Sequence, residues 1–204
     1  MRKATRVVAA LLGVFAGIGG PEHGIFEIMR GNTRPEGLII ASMGPPCNPE
    51  EVWHACEPAM TVIPNFLVTG ILATLFGLIT IIWAASFLHR KSGGLVLILL
   101  SIALLLVGGG LFPPVIGIVA GVVGTRINTP QVQRTSKLSR FLAALWPWPL
   151  VAFFLWTLGQ FLIGHFFNAF LMRSGYVSPL MIVGLMVLSI VSAFAYDAQH
   201  AEAA

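Results

Sequence analysis

The sequence predicts an all-α integral membrane protein, a bundle of about six membrane segments with one external loop. Three observations carry that prediction. Of 204 residues, 56% are hydrophobic and only 10% are charged, whereas soluble domains hold about a quarter charged residues. The apolar residues fall in runs long enough to enter or cross a bilayer. The basic residues sit in short segments between those runs, where they read as topology signals despite a formal net charge of +4. The expected partner is therefore the lipid bilayer, and nucleic acid is not one. The length suits a single transmembrane bundle over residues 1–204, with no separate soluble domain.

Residues 7–30 are expected to form a kinked first helix. The start, from Met1 to Gly20, resembles a cleavable signal peptide, but the helical pattern runs on past any plausible cleavage point. Pro21 breaks one backbone hydrogen bond and supplies the kink. The glycines Gly13, Gly17, Gly20, Gly24 and Gly31 are spaced 4-3-4-7, and Glu27 fills the vacant place to make 4-3-4-3-4. On a helix these positions form a stripe roughly 80° wide. Glycine there lets another backbone approach closely, as in membrane helix pairs. The seam is thus a packing surface for the chain's own helices, for a second copy or for a membrane partner. His23 lies on its flank one turn before Glu27, and Glu22 points away.

Residues 32–64 form the long polar stretch, rich in proline and glycine, and read as a loop with one short helix near Pro49–Ala55. Six of the eight acidic residues lie between Glu22 and Glu57. The basic segments are the N-terminus, His89–Lys91 and residues 125–140. The positive-inside rule puts these and both termini in the cytoplasm of a cell-membrane protein, with loop 32–64 outside. Cys47 and Cys56 both fall in that loop and are expected to form a structural disulfide.

Residues 65–87 are an unbroken apolar run and form the second span. Residues 94–124 have basic flanks on both sides, so they are expected to enter and leave on the same face; the alternative is one long helix with 125–140 outside. The turn Gly108-Gly109-Gly110-Leu111-Phe112-Pro113-Pro114 divides them into a hairpin with arms of roughly 17–21 Å, short or re-entrant against a core near 30 Å. The next span is expected over 147–172, opening at Trp-Pro-Trp-Pro, and the last over 177–196.

Ionisable groups inside membrane segments mark candidate sites. Glu22, His23 and Glu27 lie about 24–32 Å along the first helix. The fifth segment carries Thr157, Gln160, Gly164 and Asn168 on one face with His165 on its flank, at a similar depth. Three readings follow. The favoured one is handling of a proton, ion or small polar molecule, that is, transport, at an outer-leaflet site drawing on Glu27, His23, His165, Gln160, Asn168 and Glu22. The alternative is a membrane-embedded metal-dependent enzyme in which His23, Glu27 and His165 hold a divalent metal such as zinc, iron or copper. The third is a non-catalytic accessory subunit that packs through the glycine seam. No nucleotide-binding or hydrolase motif is present to name a reaction, so enzymatic activity stays open.

Overall fold

A computed structural model describes residues 2–42, 56–130 and 136–201. The described residues are mostly helical, and four helices are long and apolar enough to cross a membrane. These are α1 (Lys3–Met29), α2 (Phe66–Ser86), α6 (Trp148–Phe166) and α8 (Val177–Gln199). Between α2 and α6 lie α3 (Gly93–Leu106), α4 (Phe112–Gly124) and α5 (Lys137–Leu145), and α7 (Asn168–Ser174) separates α6 from α8. The described residues divide into two compact units, one of residues 9–42 and 56–126, the other of residues 2–8, 127–130 and 136–201.

The first of these units is built on the contact of α1 with α2. A Cβ added at Gly20 would lie 2.5 Å from the Ala73 carbonyl oxygen and 2.6 Å from the Gly77 Cα. At Gly24 it would meet the Gly70 oxygen at 2.6 Å. The two backbones therefore touch, which only glycine on both sides allows. Pro21 sits inside α1 and leaves the Gly17 carbonyl without its usual helical donor. Gly77 covers that oxygen, since its own added Cβ would lie 2.6 Å from both Gly17 O and Pro21 Cδ. A Cα–H contact of this kind partly offsets the lost bond. Gly31, at φ +68°, follows the end of the helix; a Cβ added there would meet nothing within 4 Å, and its carbonyl accepts from Leu67 N of α2 at 3.0 Å.

Helices α3 and α4, of 14 and 13 residues, pack on each other as an apolar hairpin. Gly117 and Gly121 let α4 close on Ser101 and Ile98. The described parts of the long loop, read from the sequence as a loop with one short helix, form a two-stranded antiparallel sheet of β1 (Ile39–Ala41) and β2 (Pro58–Met60), in which Ile40 faces Ala59. Strand β2 also ties down the glycine turn after α3: Gly108 N donates to Met60 O at 2.9 Å and Leu111 N to Pro58 O at 3.2 Å. Thr69 of α2 donates to Val107 O at 2.7 Å and is itself bonded to Thr61. The short helix expected near 49–55 lies outside the described residues, as does Cys47 and with it the expected Cys47–Cys56 disulfide.

In the second unit α8 packs against α5 and α6. The start of α1 is held by a residue from the far end of the chain. Asp197 Oδ1 accepts from Ala4 N at 3.0 Å, and its Oδ2 accepts from Thr5 N at 2.8 Å and Thr5 Oγ1 at 2.6 Å. A carboxylate at a helix N-terminus satisfies free N–H groups and complements the helix dipole. The expected single span over 147–172 is broken. Helix α6 ends at Phe166, Phe167 takes φ −133°, and Asn168 opens the separate α7.

Candidate functional site

The heptad seam of α1 brings Glu27 to the end of the α1–α2 contact, where it is 0% exposed. His23, one turn earlier, is 1% exposed. Three segments distant in sequence close over this pair. Ser42, just after β1, donates its hydroxyl to Glu27 Oε1 at 2.9 Å, and Ser42 Oγ also lies 3.4 Å from the His23 carbonyl oxygen. Glu57, just before β2, places Oε2 3.8 Å from His23 Nε2 and is itself about one-third exposed, at 34%. Ser42 N donates to Glu57 O at 2.9 Å, so the two loop residues are fixed to each other.

The third segment is the glycine turn. Gly108 stands at φ +96° and Gly110 at φ +85°, conformations that side chains rarely adopt. A Cβ on Gly108 would lie 2.5 Å from Glu27 Oε2 and 2.6 Å from Oε1. One on Gly110 would lie 2.6 Å from His23 Nε2. Backbone thus covers both side chains, and neither position has room for a methyl group. Glu27 Oε2 has no hydrogen-bond partner among the described residues.

The chain matches no protein family, curated protein or solved structure.

Glu22 is half-buried on α1. Gln160 is buried in α6 and accepts a hydrogen bond from Ser178 of α8, so it joins two helices of its own unit. His165 is exposed at the end of α6, its ring edge-on to Phe166 at 4.8 Å. Asn168, expected on one helical face with Gln160, lies past the break at Phe167 and does not share that face. Among the described residues no three His, Cys, Asp or Glu side chains are gathered as metal ligands. The seam positions Gly13, Gly17, Gly20 and Gly24 are occupied by α2 and, at Gly13, also by Leu97 of α3. An open groove of about 550 Å³ between residues 34–38 and 61–64 is lined by other loop residues than these.

Sequence reasoning missed Ser42, Glu57, Gly108 and Gly110 as neighbours of Glu27 and His23. The Gly-Gly-Gly run was legible as a turn, but nothing in it announced what the turn would cover. Ser42 and Glu57 carried no signal beyond lying in the polar loop.

Proposed function

We propose that this chain is a polytopic membrane protein of about six membrane segments that handles a proton, ion or small polar molecule at an outer-leaflet site built on Glu27 and His23. In this topology the termini are cytoplasmic and loop 32–64 is outside, as the basic segments favour. Among the three species the geometry favours the proton. One observation carries this reading: Glu27 is fully buried, yet its Oε2 has no partner among the described residues. An unpaired buried acceptor costs about 1–3 kcal/mol, and a single added donor removes that cost. A hydrated ion or a solute needs space, and the Gly108 backbone takes up the space beside the carboxyl. His23 and Glu57 continue the set of proton-exchanging groups toward a partly exposed carboxyl. Buried carboxyl and imidazole groups in membrane helices serve as such relays.

The test is proton flux into vesicles carrying the purified protein and a trapped pH-sensitive dye, with an imposed membrane potential. Wild type is expected to pass protons and Glu27→Gln, which keeps the shape and one acceptor oxygen, to lose at least most of that flux while remaining folded. Equal flux from both, or none above empty vesicles from wild type, contradicts the proposal.

A further inference from the structure

Helix α5 has three faces. Ser139 and Ala143, one turn apart, are buried and small, and they turn toward α8, on which α5 packs. About 150° around the helix is an apolar face on which Leu138 is 66% and Phe141 62% exposed. Lys137 and Arg140 lie on the remaining side and are exposed. The helix ends at Leu145, three residues before the apolar, span-length α6 begins at an exposed Trp148. That connection holds α5 at the level where α6 enters the bilayer. More cations gather at this end of the unit. Asp197, near the end of α8, binds the first turn of α1, on which Lys3 and Arg6 are exposed. The Trp146 ring stands 6.4 Å from that of Tyr196, which holds the last turn of α5 and the end of α8 together.

We propose that this end of the unit is a site for anionic lipid. Helix α5 lies in the membrane interface, with Leu138 and Phe141 at the acyl-chain boundary. Lys137 and Arg140, with Lys3 and Arg6, take the phosphate headgroups. An apolar face flanked by cations is the pattern of interfacial helices, and the one described carboxylate nearby, Asp197, is buried and engaged with α1. The charge complementarity selects anionic over zwitterionic lipid, because each cation near an anionic surface contributes up to about fivefold in association.

The full chain in phosphatidylcholine vesicles, probed by electron spin resonance with spin-labelled phosphatidylglycerol against spin-labelled phosphatidylcholine, tests this. Wild type is expected to favour phosphatidylglycerol several-fold at low salt, with the preference shrinking as salt screens it. Lys137→Gln with Arg140→Gln should remove most of the preference, and Arg90→Gln with Lys91→Gln, in the other unit, should keep it. Circular dichroism and gel filtration verify that both variants fold. No preference in wild type overturns the proposal. So does a preference that survives the first pair of substitutions and is lost with the second.

Discussion

At the scale of single residues, what distinguishes this protein is a carboxyl enclosed by glycine. Gly108→Ala should cost more than about 1 kcal/mol, because it adds strain at φ +96° and pushes a methyl group into Glu27. Gly37→Ala, where the added Cβ meets nothing within 4 Å and φ is not positive, is the matched control and should be near neutral. Unfolding in detergent measures both. Ser42→Ala removes the hydroxyl that bonds Glu27 Oε1 and should cost about 1 kcal/mol. Glu27 and His23 could be picked out from the sequence because helical spacing alone puts them together. Their other neighbours could not, since Ser42, Glu57 and Gly108 arrive from a sheet and a turn whose pairing no local pattern encodes. Asn168 shows the opposite failure. Its grouping with Gln160 assumed an unbroken helix, and the break at Phe167 has no proline or glycine at that residue to announce it.

At the scale of elements, the apolar runs and the heptad of glycines made the long helices legible, and the Gly-Gly-Gly-Leu-Phe-Pro-Pro stretch divided α3 from α4. The strands were not legible. Each is three residues long, one begins with proline, and they pair across a long separation. Their consequence is large, because β2 holds the glycine turn over Glu27. The α1–α2 contact makes a second stability prediction. Gly24→Leu should destabilise the protein by about 1–3 kcal/mol or more, because the Gly70 carbonyl occupies the space its side chain needs. Gly184→Ala in α8 meets nothing within 4 Å and should be neutral or stabilising by about 0.5–1 kcal/mol. Thermal unfolding of the two variants side by side measures the difference. A Gly24→Leu protein as stable as wild type would show that the two helices do not meet backbone to backbone.

At the scale of the whole molecule, the proposed topology predicts that cysteines placed at 92 and 133, in a Cys47/Cys56-free background, are labelled from one side of the membrane and one at 45 from the other. Labelling of 92 and 133 from opposite sides would show that α3 and α4 together cross only once. The proposed proton handling requires that Glu27 gain and lose a proton within the folded protein. Difference infrared spectroscopy after a pH jump, on the protein in lipid, reads this directly through the carboxyl stretching bands. Wild type is expected to show a carboxyl band that changes with the jump and is missing in Glu27→Gln, with Ser42→Ala shifting the same band through its lost hydrogen bond. Identical difference spectra from wild type and Glu27→Gln, across the pH range in which the protein stays folded, would contradict the account.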